Sequence, residues 1–486
     1  MVQPGDYESN LMVIANAEPY EHKKVDGEIT YEKVVGGLTT ALDPLMQENG
    51  KAWIGWGRGE EDYNDEVVDE DNVVRVPPDA PEDKKYDLKR VKLSEEEVES
   101  FYRGFSNQEL WPIGHTFPGK ANHREKYWDM YKEVNKKYVD SVLEMADGGE
   151  NFMVNDYQLS LVPKYLSEET QDAKIGFVWH IPWPPWESIG RLPRREELLE
   201  GISGADVVTV HTPSYREHLL EFAENLGADV DREEGFYELD DEKTRVEALP
   251  LGIDYDRFSP DNTKVERDFG TGFKEAIGTD HIIIGLDRTD YTKGISERLE
   301  AYEAFLKDNP EYQEEVTLFQ KVTPSRQKIK EYKEILNDIQ KNVARINSQL
   351  GSIETYWDPV KLRQKKIPHE NLKALYQSAD MALITPGIDG KNLVASEYVA
   401  SHTEEDPGVL ILSEFAGAAD QFKEEIDGKG PLYANPYDTR ETSQKIKQGL
   451  EMDEEERIER WRNTDEVVKE KDVEWWRNKF LDLLKG

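Results

Sequence analysis

Met381-Ala382-Leu383-Ile384-Thr385, followed by Pro386-Gly387-Ile388 and then Asp389-Gly390-Lys391-Asn392-Leu393-Val394-Ala395-Ser396-Glu397, decides the reading of this chain. A short apolar run ends in a small polar turn, and a helical segment follows that stops near His402. Strand, turn and helix start in this order form the unit of open α/β sheets, whose ligands lie beyond the carboxyl ends of the strands. The first N–H groups of such a helix lack intrahelical acceptors and carry the positive end of the dipole, so the turn suits an anion. Asp389 can accept two hydroxyls of a sugar, and Glu397, further along the helix, two hydroxyls of a ribose. Sugar, diphosphate and ribose in line are the outline of a nucleotide sugar. Alone the unit says little, because most Asp-Gly pairs only make a turn.

Two further segments repeat the pattern. Ile282-Ile283-Ile284-Gly285-Leu286 reads as a buried parallel strand, and Arg288 and Lys293 follow its end before Gly294. An arginine fork and a lysine point charge together suit a diphosphate, the group on which charge grows when a nucleotide leaves. Ser296 then reads as the cap of a helix with Leu299, Tyr302, Phe305 and Leu306 on its apolar face. Lys174-Ile175-Gly176-Phe177-Val178-Trp179 likewise ends at His180, before the rigid loop Ile181-Pro182-Trp183-Pro184-Pro185-Trp186. Asp156 is placed in the same way after Asn151-Phe152-Met153-Val154. Aromatic rings in a rigid loop suit sugar faces; a structural aromatic cluster beside a satisfied histidine is the plainer reading.

The chain resembles the trehalose-6-phosphate synthase family, retaining glucosyltransferases of the GT-B fold. The likeness runs through Gly36-Gly37-Leu38, Trp56, Tyr102-Arg103-Gly104-Phe105-Ser106-Asn107, Leu110-Trp111-Pro112 and Asn155-Asp156-Tyr157. It continues through His180-Ile181-Pro182, Gly252-Ile253-Asp254, Arg288–Lys293, Pro324-Ser325-Arg326, Asp389–Glu397 and Ser413-Glu414-Phe415-Ala416-Gly417-Ala418-Ala419. The resemblance implies an α/β architecture of two Rossmann-like, doubly wound domains facing a central cleft. It implies a catalytic set of His180, Arg288, Lys293 and Asp389. Arg288 and Lys293 would grip the donor diphosphate, and Asp389 the transferred glucose, helped by backbone N–H groups near Asn392, Leu393 and Val394. Glu397 would hold the ribose, His180 would face the donor glucose near its 6-hydroxyl, and the turn at Gly37 would close over the donor. Trp56, Tyr102, Trp111, Asp156 and Arg326 would surround a sugar phosphate acceptor. The slot for the donor base would lie near Ile367 to Leu372. No metal and no cofactor are implied.

One departure bears on the acceptor. The family motif has Asn-Arg after the first strand, and that arginine helps bind the acceptor phosphate; here Val13-Ile14-Ala15-Asn16 leads to Ala17. A charge-assisted hydrogen bond contributes ~1.5–3 kcal/mol, about one to two decades in affinity. Lys23, Lys24 and Arg103 are the substitutes the sequence offers. Milder departures are Asn155 and Gln158 around Asp156-Tyr157, and Gly387-Ile388 before Asp389.

The chain has 486 residues, more than a single core usually spans, so two domains are expected. The expected division is 1–245 for the acceptor domain, 246–455 for the nucleotide-sugar domain, and 456–486 as a helix returning to the first. Expected strands lie near Leu11–Ala15, Phe152–Val154, Ile175–Trp179, Val207–Thr209, Ile282–Leu286, Val316–Gln320, Met381–Thr385 and Val409–Leu412, with acidic loop over about 57–97. The absence of cysteine excludes disulfides and thiolate metal sites. The start, Met1 to Glu8, lacks the basic and apolar regions of a signal peptide, and no run is apolar enough to span a membrane. A cytoplasmic enzyme is therefore expected, and a homo-oligomer is compatible with it.

With 61 Lys+Arg against 101 Asp+Glu, the net charge of −40 argues against nucleic acid and anionic membrane as partners. It implies a salt-adapted, halophilic source, where ions screen the repulsion. The expected partners are a nucleoside diphosphate glucose and a sugar phosphate, with transfer to glucose 6-phosphate giving trehalose 6-phosphate. The alternatives are a synthase with another phosphorylated acceptor, such as glycerol 3-phosphate, and a sugar-phosphate sensor without turnover.

Overall fold

The computed structural model describes residues 10–34, 36–170, 173–260, 264–326, 328–368 and 371–485. The signal-peptide reading, made on Met1 to Glu8, lies outside them. The chain forms two compact units, one of Met1–Leu249 with Trp476–Gly486 and one of Pro250–Trp475. Among the described residues no helix is long and apolar enough to cross a membrane.

The first unit is built on a ten-stranded sheet. Its spatial order is Asp229–Asp231, Phe236–Leu239, Glu242–Ala248, Val207–Val210, Lys174–Val178, Asn151–Asn155, Leu11–Ala17, Gly50–Trp56, Tyr86–Val91 and Val73–Val76. The seven strands from Glu242–Ala248 to Tyr86–Val91 are parallel, and antiparallel strands finish both edges. Strand Leu11–Ala17 lies centrally. The chain first builds outward to one side of it, then returns to Asn151–Asn155 on the other, with Met12 opposite Phe152 and Ile14 opposite Val154. Order therefore reverses between these two strands, and the crevice at such a switch point is where open sheets bind ligands. Leu11, Met12, Val13, Ile14 and Ala15 are all buried, as a parallel strand covered on both faces requires.

Helix Val473–Lys485 closes this unit, burying Trp476, Phe480 and Leu484, which recur every four residues along one face. A Cβ at Gly176 would lie 2.4 Å from the Phe480 ring, so the glycine lets the helix sit on the sheet. Segment Val98–Leu110 is a π-helix, whose wider turn favours function over regularity. Asn107 and Gln108 side chains donate to the Tyr102 and Arg103 carbonyls at 2.6 and 2.9 Å, satisfying acceptors along it.

The second unit carries a six-stranded, all-parallel sheet in the order Val360–Arg363, Val316–Thr323, His281–Arg288, Met381–Ile384, Val409–Ser413 and Leu432–Ala434. Alternate residues feed two cores: Ile282 and Ile284 face one, Ile283 the other. The switch point lies between His281–Arg288 and Met381–Ile384, and Arg288 and Asp389 follow its two strand ends.

Four sequence expectations are corrected. The boundary between units follows Leu249, after the last residues of strand Glu242–Ala248. The return to the first unit starts at Trp476 and not at 456, because helix Glu454–Glu470 buries Val467 and Val468 in the second core and its Trp461 donates to the Val399 carbonyl at 3.1 Å. The acidic stretch 57–97 holds strands Val73–Val76 and Tyr86–Val91, whose Tyr86, Leu88 and Val91 are buried beneath the charged composition. Ser296 does not cap its helix, which begins at Ile295 with Gly294 at the cap, since the left-handed turn there already ends the preceding loop. Its expected apolar face of Leu299, Tyr302, Phe305 and Leu306 is buried.

Candidate functional site

At the switch point of the second unit, Arg288 ends its strand exposed, and Lys293 closes the 3-10 turn Tyr291–Lys293. Gly294 follows at φ +60°, and a Cβ there would lie 2.3 Å from the Thr385 carbonyl, so only glycine lets this turn abut the neighbouring strand end. Lys293 Nζ donates to Asp389 Oδ2 at 2.5 Å, and Asn392 Nδ2 donates to the same oxygen at 3.0 Å. Asn392 is itself left-handed, φ 71°, and holds the N-cap position of helix Leu393–Ala400 without a side-chain cap hydrogen bond, so the helix's first N–H groups lack intrahelical partners. Gly417 N donates to the Asp389 carbonyl at 3.0 Å and Ala418 N to that of Lys391 at 2.8 Å, so the Ser413–Ala419 motif holds the loop in shape. Among the described residues, Thr289 Oγ1, Thr292 Oγ1 and Asn392 Oδ1 are buried in this region without a hydrogen-bond partner. Native interiors rarely leave such atoms unpaired unless a function uses them.

Glu397 lies along the same helix and accepts from the Tyr376 hydroxyl at 2.7 Å; burial raises its carboxyl above the usual range. Of the expected base slot, His369 and Glu370 lie outside the described residues, and Leu372 opens helix Leu372–Gln377. Arg326, which the resemblance places with the acceptor, belongs to the second unit. At φ 47° it donates to Asp290 Oδ2 at 3.2 Å and to the Tyr332 hydroxyl at 2.6 Å. Asp290 also caps the Lys293 turn through Thr292 N, so one carboxylate ties Arg326 to that turn.

In the first unit Trp56, Asp156 and His180 stand at or just past strand ends, and Gly37, Tyr102 and Trp111 lie on helices. Asp156 has φ 74° and ψ 164°, a region that side chains seldom occupy and that clusters at functional sites. Its Oδ1 accepts from Tyr157 N at 3.0 Å and His180 N at 3.2 Å, locking two loops together. His180 Nε2 lies 3.2 Å from Asn155 Oδ1, and its ring centre 5.4 Å from that of His211. Desolvation lowers His180 from 6.5 to about 4, so its imidazole is neutral at neutral pH. Trp56 and Tyr102 meet edge to face at 5.5 Å. Trp111 is buried against His115 and Tyr157, with ring centres at 4.0 and 5.8 Å, which leaves it a supporting wall. Gly37 starts helix Gly37–Asn49.

His180 makes a pH prediction. Because its folded value lies below its ordinary one, only the unfolded chain takes up this proton between 6.5 and about 4. Its contribution to stability is complete above 6.5 and falls as pH drops through that window. Melting temperatures of the parent should fall more steeply over it than those of His180→Asn; equal slopes would refute the burial effect.

The model of glycosyltransferase family 20 matches residues 9–486. The chain belongs to that family. It is a glycosyltransferase of the GT-B type. A trehalose-6-phosphate synthase of Mycobacterium sp. (strain KMS) is 35% identical, covering 99% of this chain and 96% of its own. That of Mycobacterium avium (strain 104) is also 35% identical, covering 98% and 95%. Among solved structures, the E. coli enzyme bound to UDP-2-fluoro glucose superposes with TM-score 0.84 at 27% identity, over 98% of each chain. A UDP-forming α,α-trehalose-phosphate synthase of Burkholderia xenovorans in complex with glucose 6-phosphate gives 0.83 at 26%, over 98% of this chain and 100% of its own.

This family 20 enzyme also has supporting residues that the sequence reading passed over. Arg298, 1% exposed, lies beneath the second switch point. It pairs with Asp287 through Nη1, donates to Gln320 Oε1 at 3.1 Å, and donates from Nε to Thr385 Oγ1 at 3.1 Å. It thereby joins the ends of both strands that carry donor candidates. One signal was present: an arginine between Ile295 and Leu299 on an apolar helix face is costly unless paired. In the first unit, Glu18, Asp62 and Arg90 form a fully buried cluster. Burial and the hydrogen bond to Asp62 push Glu18 up to about 9, so it is protonated at neutral pH, and Arg90 is balanced by Asp62 alone.

Proposed function

We propose that this chain transfers glucose, with retention, from UDP-glucose to glucose 6-phosphate, forming α,α-trehalose 6-phosphate and UDP. The observation that carries this reading is the assembly of Arg288, Lys293, Asp389 and the N-cap residue Asn392 at the second switch point, within a family whose relatives bear that activity as their name. UDP is the nucleotide in the names and ligands of the superposed structures.

In this reading Asp389 and the N–H groups of Leu393 and Val394 hold the glucose, Glu397 the ribose, and Arg288 with Lys293 the diphosphate. Lys293 is already oriented by Asp389, which lowers the cost of placing its charge. His180, neutral, donates or accepts a hydrogen bond at the sugar without adding charge. Gly37 begins the turn that covers the donor. Trp56, Tyr102, Trp111, Asp156 and Arg326 form the acceptor set. The anomeric hydroxyl of glucose 6-phosphate attacks C1 on the face that the diphosphate leaves. The C1–O bond to the β-phosphate breaks as the new glycosidic bond forms, and the departing phosphate oxygen takes the hydroxyl proton. The protein contributes position and stabilisation of the leaving charge.

The test is a product assay offering UDP-, GDP- and ADP-glucose against glucose 6-phosphate, glycerol 3-phosphate and glucose. Trehalose 6-phosphate from UDP-glucose is the expected product. Glycerol 3-phosphate as the sole productive acceptor would overturn the assignment in favour of the reading that Ala17 supports, and binding without product would favour the sensor. We place the enzyme in the cytoplasm of a salt-adapted cell, on the strength of the −40 charge and the absence of cysteine. At about 1 M salt the Debye length falls to ~3 Å, so self-repulsion is screened. The melting temperature should rise by several degrees between dilute buffer and concentrated KCl; an unchanged value would refute salt adaptation.

A further inference from the structure

We infer that Arg58 supplies the acceptor-phosphate cation that Ala17 lacks, so that the acceptor site is complete but one of its charges arrives from a different strand. This rests on the functional reading above. Ala17 is the register partner of Trp56 on the adjacent parallel strand, and Arg58 follows Trp56 by two residues. The exposed Arg58 guanidinium donates from Nη2 to the Asn16 carbonyl at 3.0 Å, which places it beside the residue that precedes Ala17. Its central carbon lies 4.7 Å from the Trp56 ring and 5.5 Å from the Tyr102 ring, so it stands against two members of the acceptor set.

Of the substitutes that the sequence offers, Lys23 and Arg103 are engaged elsewhere. Lys23 pairs with Glu32 across the hairpin Tyr20–Val25 and Glu28–Lys33, and Arg103 bridges Glu95 and Glu99 at 2.8 Å each. Lys24 lies exposed on that same hairpin. Arg58, by contrast, forms no ion pair among the described residues; its side chain donates to a carbonyl, lies against two aromatic faces and is felt by the buried Tyr138 hydroxyl. The buried acids nearby do not cancel it. Glu18 is protonated at neutral pH and Asp62 is balanced by Arg90.

That same cluster sets the position of Arg58. Glu18 Oε1 accepts from Arg58 N at 2.7 Å, and Asp62 accepts from Gly59 N and, at 2.7 Å, from His22 N. A fully buried, charge-balanced group therefore grips the backbone on which Arg58 stands, while the side chain is left for a ligand. Nearby Asn16 Oδ1 is buried without a partner among the described residues, an acceptor suited to a sugar hydroxyl. A fork of guanidinium donors suits a phosphate monoester, and stacking on Trp56 and Tyr102 reduces the freedom lost on binding.

The test measures KM for glucose 6-phosphate and for UDP-glucose in the parent, Arg58→Ala, Arg58→Lys and the double variant Ala17→Arg/Arg58→Ala. Arg58→Ala should raise KM for glucose 6-phosphate by about tenfold to hundredfold, the range for one charge-assisted hydrogen bond, with little change in KM for UDP-glucose. Arg58→Lys should recover part of the loss, and Ala17→Arg should restore most of it by returning the cation to the neighbouring strand. Because the side chain is exposed, the variants should melt with the parent. An active parent whose Arg58→Ala form keeps its KM for glucose 6-phosphate overturns the role of Arg58 alone. A parent that makes no trehalose 6-phosphate overturns the functional reading and the role of Arg58 together.

Discussion

Arg288→Ala and Lys293→Ala should each lower kcat by about two to three orders of magnitude, the loss typical of removing one preorganised group that faces developing charge. The two differ in origin. Arg288 ends its strand exposed, and its removal subtracts its interaction with the ligand. Lys293 is bound to Asp389, so its removal also frees that carboxylate, with a negative charge near the leaving diphosphate. Lys293→Ala should therefore be the more damaging, and Lys293→Ala/Asp389→Asn should be less than the sum of its parts, as expected for groups in contact. Neither side chain belongs to a hydrophobic core, so the melting temperature should hold in Arg288→Ala, whereas Lys293→Ala, which leaves the largely buried Asp389 without its ion-pair partner, should melt a few degrees lower. Single-turnover rates at saturating donor separate loss of chemistry from loss of binding. Near-parental kcat in both variants would remove Arg288 and Lys293 from the donor site.

Arg298→Met should destabilise the second unit by about 3–5 kcal/mol, because breaking a buried pair leaves Asp287 charged, desolvated and unpaired. Turnover should fall as well, since Arg298 positions the strand end that carries Arg288 and, through Thr385, the one that leads to Asp389. A two-unit chain need not unfold in one step, so denaturant unfolding should be followed with probes in each unit. The loss should fall on the second unit's transition. Asp287→Asn placed on Arg298→Met should return part of it, because the amide removes the stranded charge and keeps the shape. A single-variant loss below about 1 kcal/mol, the scale of a surface pair, would show that the pair is solvated.

Much of this architecture is legible from local pattern. Continuous apolar runs such as Ile282-Ile283-Ile284 and Leu11-Met12-Val13-Ile14 announce strands covered on both faces, and they are buried. The reading weakened where composition and burial part company. The stretch 57–97 is acidic on average, yet Tyr86, Leu88 and Val91 form a buried strand inside it, because averages over a window dilute a period of two. Helix ends were also hard to place: Ser296 has the composition of a cap, but the left-handed Gly294 had already started the helix.

The sequence by itself determined the family, the continuous apolar strands of both units and the residues that follow them, because these depend on neighbours along the chain. Which cations are committed and which stand ready was decided only by tertiary structure. Lys23 and Arg103 look available in the sequence and are paired with acids in the fold. Arg58 looks like one charge in an acidic loop until parallel pairing sets Trp56 beside Ala17 and brings its guanidinium to Asn16. Arg298 looks like a lapse in a helical stripe until Asp287 and Gln320 close around it. Electrostatic pairing acts over a few ångströms of space, and residues as far apart in sequence as Asn16 and Arg58 come that close only when the order and register of the sheet are set.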